Sequence, residues 1–311
     1  MMRNFLKNIG CIVIIVTGIG NQLQAQTDVK LSNFVYTPLV LNPAYAGSSD
    51  GYSATALYTS QWVGFDGAPE TLIVTGHDRI GLTNLGAGFD VMSDKIGASK
   101  ENRVVGNIAY HLRLSQNWLL STGVKLGVNN YAIDYSLLSI ENQGEFGNPF
   151  GDLSRTSLIF GTGFFLHREN FFLGVAIPNF LTTEYIDDFR NTLANTTPNY
   201  FISTGYRFEL EREVYFQPTV MTRVAKGAPY SALFSFNLDW KDRIFASANY
   251  EHNVTAGAFV GLRITDQIMA GYAYDTAITT FSQYNGGIHS FMINFRAKER
   301  YRRDRCGCFT Y

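Results

Sequence analysis

The sequence predicts an all-β protein: a transmembrane, antiparallel up-and-down β-barrel of about 14 strands that follows a cleaved signal peptide. Three observations predict it. The composition is poor in charge and rich in aromatics. The chain breaks into alternating segments of about ten residues. The connections between those segments alternate between short and long. Charged residues make up 16% and aromatics 14% of the 311 residues, against about 25% charge in soluble globular domains. Mean hydropathy is nevertheless −0.04, and no stretch after residue 25 offers the ~20 consecutive apolar residues of a spanning helix. A net charge of −1 gives no basic face for nucleic acid.

The elements follow in chain order. Residues 1–25 read as a secretory signal: Arg3 and Lys7 begin it, residues 9–20 form the apolar core, and Ala25 offers a small residue at the cleavage point. Cys11 lies inside that core without the preceding Leu of a lipoprotein signal, so it is discarded with the leader. Residues 26–51 form a periplasmic segment or a plug. In it Pro43 fixes φ and Gly47 permits a positive φ, so the stretch reads as a rigid, turned entry to the first strand. The barrel spans 52–297. Its predicted strands are 52–61, 70–79, 84–93, 102–113, 117–132, 155–167, 170–178, 199–210, 213–224, 230–240, 243–252, 254–264, 267–275 and 287–297. Alternation is clearest late in the chain. Ala232, Phe234, Phe236, Leu238 and Trp240 share a face opposite Ser231, Ser235, Asn237 and Asp239; Ala256, Ala258, Val260, Leu262 and Ile264 oppose Thr255, Gly257, Gly261 and Arg263. A soluble β-sandwich also alternates, but persistently aromatic faces and uniformly long strands argue against it. The basic tail, 298–311, follows the last strand into the periplasm.

Connection lengths supply an independent test, because transmembrane barrels have short periplasmic turns and longer external loops. Tight connections fall near 80–83, 115–116, 169, 211–212, 241–242 and 265–266, with longer ones at 62–69, 94–101, 133–154, 179–198, 225–229 and 276–286. The connection near Asn253 is the weak member of the long set.

Three stretches are more specific than composition. LNPAYAG (41–47) contains Asn42, Pro43, Tyr45 and Gly47. YTSQWVGFDGAPET (58–71) contains Gln61, Trp62, Gly64, Asp66, Gly67 and Pro69. SDKIG (93–97), with Asp94 and Gly97, opens the second external loop. Together with FGTGFFLHRENFFLGVAIPNF (160–180), they resemble the PorP/SprF family of type IX secretion membrane proteins of Bacteroidetes, over essentially the whole mature chain. The resemblance implies an outer-membrane component that helps export or anchor surface proteins carrying a C-terminal sorting domain. It also implies work beside gliding-motility adhesins, other secretion components or periplasmic peptidoglycan-binding lipoproteins. Two roles are open for the motif residues: locking a loop against the lumen, or contacting a secreted domain. Phe146 and Tyr185, with Phe150 and Phe189, join the second possibility from the longest external loops, 133–154 and 179–198.

The residues carry little sign of catalysis. The five histidines, His77, His111, His167, His252 and His289, stand on separate segments without HxH or HExxH spacing, and no GxSxG occurs. The reading is therefore non-enzymatic, with no catalytic, metal or cofactor site. The glycine pairs Gly86/Gly88 and Gly161/Gly163 lack the Lys and helix of a phosphate loop, and in strands they permit close packing or bending. Alternation points Asp90, Lys125, Arg207, Glu209, Asp239, Glu251, Arg263 and Arg296 inward, a mixture of signs suited to a plugged or water-filled polar lumen. Cys306 and Cys308 enter an oxidising compartment, where a bridge across one residue would be strained and a bond to another molecule is open to them. The competing function is a porin or transporter for small or hydrophobic solutes, and the state of the lumen discriminates between the two.

Overall fold

The computed structural model describes residues 31–49, 51–81, 83–134, 136, 153–186, 192–196, 198–226, 229–278 and 286–297. The leader, the tail, most of the loop at 133–154 with Phe146 and Phe150, and Phe189 lie outside the described residues.

Among the described residues seventeen strands follow one another: β1 Tyr52–Gln61, β2 Glu70–Arg79, β3 Leu85–Ile96, β4 Ser99–Arg113, β5 Leu119–Ile133, β6 Leu153–Arg168, β7 Phe171–Ile177, β8 Thr183–Ile186, β9 Thr192–Thr196, β10 Asn199–Tyr206, β11 Phe208–Glu211, β12 Val214–Ala225, β13 Ser231–Trp240, β14 Ile244–Glu251, β15 Thr255–Arg263, β16 Ile268–Ala277 and β17 Ile288–Ala297. β10 and β11 are one strand interrupted at Arg207, and β8–β9 form a separate hairpin. The rest close into a 14-stranded antiparallel barrel, sealed where Tyr52 of β1 pairs with Ala297 of β17 and Gln61 with Ile288. Closure satisfies every strand edge, which a bilayer demands because hydrocarbon offers backbone groups no partner.

The expected faces hold except at Ala232, assigned to the lipid face but buried at the start of β13. Phe234, Phe236, Leu238 and Trp240 point outward and exposed, as do Val260 and Leu262, while Ser231, Ser235, Thr255 and Arg263 are buried inside. Each predicted strand has its counterpart, and the short turns lie at the end from which β1 starts. At the other end one expectation fails. Residues 94–101 are no loop: β3 runs to Ile96, β4 starts at Ser99, and only Gly97 and Ala98 turn the chain. Polar pairs such as Ser93 Oγ–H to Asn102 Oδ1 (2.8 Å) carry the ladder above the apolar band, where water replaces lipid and alternation no longer has to be hydrophobic. The connection at 179–198 likewise contains the β8–β9 hairpin, where the sequence predicts only a loop.

The interior departs further from a water-filled pore. Helix α1 (Leu31–Tyr36), helix α2 (Pro38–Leu41) and a 3-10 turn (Pro43–Tyr45) lie within the barrel. Leu39, Val40, Ala44 and Ala46 are at most 1% exposed. Facing them is a layer of inward apolar residues that includes Leu57, Ile73, Met92, Phe201, Met221, Leu233, Phe259, Met269 and Met292. Met92, Met221, Met269 and Met292 all join this layer, and flexible thioethers suit the irregular gap between a curved wall and an inserted chain. Nearer the long-loop end the filling becomes polar: Thr59 and Ser290 hydroxyls bond at 2.9 Å, and Ser231 Oγ–H donates to Glu251 Oε1 at 2.6 Å. Glu209, expected inward, is exposed, because it sits on the short rim strand β11 beyond the point where the interior is filled.

Candidate functional site

Two assemblies use the motif residues, one inside the barrel and one on its long-loop rim. The inner one begins at Asn42. Its Oδ1 accepts the Ala44 N–H (3.0 Å) and its Nδ2 donates to the Phe164 carbonyl of β6 (3.0 Å), so one amide both caps the 3-10 turn and fixes it to the wall. Pro43 occupies the first position of that turn, where no N–H is needed. Tyr45 is packed edge-on between His77 (5.3 Å between ring centroids) and Phe165 (5.4 Å).

The Ala46–Gly47 peptide is held at both of its polar groups. The His111 ring donates from Nε2 to Ala46 O at 3.0 Å, and Gly47 N–H donates to His77 Nδ1 at 3.2 Å. A carbonyl only accepts and an N–H only donates, so these contacts put a proton on Nε2 of His111 and leave Nδ1 of His77 bare. Arg79 Nε then donates to Gly47 O at 3.3 Å, and Gly47 itself is at φ +73°. Deeper in the lumen, Lys125 Nζ donates to Val40 O at 2.6 Å and lies 3.5 Å from Asp90 Oδ2, whose carboxylate also accepts from Asn107 Nδ2 at 2.8 Å. Lys125 and Asp90 are each 1% exposed, and pairing makes a buried charge tolerable.

Glycines on the wall make the close approach possible. A Cβ at Gly86 would collide with Ala46 O, one at Gly123 with Ala44 N, and one at Gly163 with Asn42 Oδ1. Gly88 faces Leu39, and Gly161 meets the Pro178 carbonyl beyond the end of β7. Histidines that look isolated in sequence therefore converge on a single peptide. The sequence points Lys125 inward and shows His77 and His111 only as isolated residues on separate segments; that all three hold one inserted segment is visible only in the structure. The signal that points to it is glycine on adjacent strands, at inward positions near the short-turn end.

The rim assembly is the loop after β1. Gln61 N–H bonds Pro69 O (2.9 Å), closing its base. Trp62 N–H reaches Gly287 O before β17 (3.0 Å), and Gly97 N–H reaches Gly67 O (2.9 Å), so the β3–β4 turn and the β16–β17 connection grip the loop from both sides. Gly64 and Gly67 take φ values of +101° and +75°, which a side chain would strain. Trp62 itself has φ +52°, a conformation that costs a bulky residue about 1–3 kcal/mol. Trp62, Val63 and Phe65 nevertheless remain 48, 51 and 55% exposed. Asp66 is exposed beside them, Pro69 is buried, and Asp94 on β3 accepts from Thr71 Oγ at 2.5 Å. Tyr185 lies on β8. Among the described residues no group of three or more His, Cys, Asp or Glu side chains is placed to hold a metal ion.

A family model described as type IX secretion system membrane protein PorP/SprF matches residues 23–295. No curated protein matches the chain. Among solved structures, it is similar to the Acinetobacter baumannii outer membrane protein Omp33, with a TM-score of 0.48 and 10% identity over 81% of this chain and 100% of that one. It is also similar to the Ralstonia pickettii toluene transporter TbuX (0.44, 10%, 83% and 91%) and to the KdgM porin (0.37, 9%, 79% and 99%).

Proposed function

The chain is an outer-membrane β-barrel of the type IX secretion system membrane protein PorP/SprF family, and from that premise we propose that it anchors or helps export a surface protein carrying a C-terminal sorting domain. The observation that carries this reading is the rim loop. Three backbone hydrogen bonds fix it at its base and on both sides, and Trp62 is held in a costly conformation, yet its largest apolar side chains are left exposed. Rigid, exposed aromatics of this kind suit recognition of a folded protein, because little further ordering is needed on binding. The filled lumen also favours anchoring over the porin or transporter reading, since no continuous aqueous path is needed to hold a partner from outside.

The partner set that fits is a secreted cargo domain at the long-loop end, with other secretion components or a periplasmic peptidoglycan-binding lipoprotein at the short-turn end and outer-membrane lipid around the belt. No residue is assigned a catalytic or cofactor-binding role. The test is the double variant Trp62→Ala, Phe65→Ser, expressed in place of the wild type. Heat-modifiable gel mobility, which reports a closed barrel, should be unchanged, while surface proteomics should show severalfold loss of one secreted protein. An unchanged surface set, together with steady open-channel conductance of the purified wild type, would favour the transporter.

A further inference from the structure

The inserted segment is held unequally by the two halves of the wall. From Val40 to Gly47 it is bonded to β2, β4, β5 and β6 through Arg79, His77, His111, Lys125 and the Phe164 carbonyl. It also sits against glycines whose replacement would strike its backbone. Helix α1 faces the opposite half. It packs against β1, β13 and β14, with Tyr36 packed on Phe259 at 4.6 Å between ring centroids, in an apolar cluster that holds Leu233, Met269 and Met292 on this side and Leu57, Ile73 and Met92 from β1–β3. The polar hold described on that side is the Tyr36 hydroxyl, 3.1 Å from Ser247 Oγ and accepting from Asn249 Nδ2 at 3.1 Å.

Two cavities flank α1. One, of ≈ 50 Å³, lies between Tyr36 and the β12–β17 wall, lined by Tyr215, Phe245, Met269 and Met292 among others. The other, also ≈ 50 Å³, lies between Phe34, Val35 and Leu41 and the wall residues Phe172, Phe201 and Met221. A cavity of ~150 Å³ is what admits benzene, so neither of these is a ligand site at its present size. Each is instead slack beside a short helix. Thr37 and Pro38 join α1 to the fixed part, with Thr37 outside helical geometry at φ −132°, ψ 59°.

We propose that α1 is a gate: it swings about Thr37–Pro38 into this slack and opens a path along the β10–β17 side, while Val40–Gly47 stays bonded to the β2–β7 side as its base. The methionine-lined wall tolerates the displacement because thioether side chains repack over several geometries. The Tyr36 hydroxyl is the catch that holds the closed position. This gate is independent of what the rim loop binds.

The test is thiol accessibility of the full-length protein in membranes, with the native cysteines replaced by Ser. Leu233→Cys reports the wall under α1, and Ser121→Cys reports the wall under the base. A charged, membrane-impermeant maleimide should label Leu233→Cys at least tenfold faster than Ser121→Cys. Adding Tyr36→Phe should raise the first rate severalfold and leave the second alone. Where Leu233→Cys does not fold, Met292→Cys serves in its place. Equal labelling at the two sites would mean that the segment leaves as a whole or not at all, and no response to Tyr36→Phe would remove the catch. Either result overturns the gate.

Discussion

Single side chains decide how the interior is filled, and Lys125 is the most exacting of them. It is an ammonium group at 1% exposure whose neighbours are one carboxylate and one backbone carbonyl. Replacing it by Met leaves Asp90 buried and charged, with Asn107 still donating to it. Breaking a buried pair in this way costs about 3–5 kcal/mol. Lys125→Met should therefore lower the urea midpoint of unfolding in detergent clearly, and Lys125→Met with Asp90→Asn should recover part of the loss because no lone charge remains. Indifference to Lys125→Met would mean that the pair is not buried as described. At this scale the sequence was half legible. Strand parity alone pointed Asp90, Lys125, Glu251, Arg263 and Arg296 inward, and all five are buried. What parity does not encode is the partner. His77 and His111 are separated by 34 positions in the chain and meet only because β2, β3 and β4 lie side by side, and the peptide they hold comes from yet another segment.

Elements were read best where one face must meet lipid. The period-two pattern of β13 and β15 persists because each outward position is in contact with hydrocarbon and each inward one is not. Ala258 is exposed on that outer face, midway along β15. Ala258→Arg should cost ~2–4 kcal/mol at the midplane and appear as reduced heat-modifiable protein in membranes. Gly257, its inward neighbour, is a poor control because a Cβ there would collide with the Asp275 carboxylate. Asn237→Arg is the better one, since Asn237 lines the cavity that also contains Asp239, and it should assemble near normally. If Asn237→Arg failed and Ala258→Arg assembled, the assignment of faces would be reversed. Legibility ended where the lipid constraint ends. The β3–β4 ladder continues to the Ile96–Ser99 pair through Ser93, Asn102, Lys95 and Lys100, whose polarity reads as loop. The inserted helices are too short, at six and four residues, to show a helical period. They are ordered by the wall around them more than by their own propensity.

For the whole molecule, the proposed function divides the labour between a closed wall that supports and outer connections that would contact the partner. Loops tolerate change and carry recognition because the scaffold beneath them does not depend on their sequence. The connection from β7 to β10 is the place to apply this, since it leaves the wall after Ile177, forms the β8–β9 hairpin and returns at Asn199. The hairpin pairs within itself, Thr183 with Thr196 and Tyr185 with Ala194, and contributes no strand to the barrel sheet. The closing pairs β7–β10 and β10–β12 are made by residues outside it. Replacing 183–196 by a short Gly-Ser linker should therefore leave barrel assembly and the unfolding midpoint unchanged. If the hairpin and the Trp62–Pro69 loop grip the same cargo domain, the surface proteome of that strain should lose the same protein as the Trp62→Ala, Phe65→Ser strain. Combining the two changes should then add little, because either alone already releases the partner. Loss of two different proteins would assign the loops separate partners. A deletion strain with an intact surface set would confine recognition to the rim loop after β1.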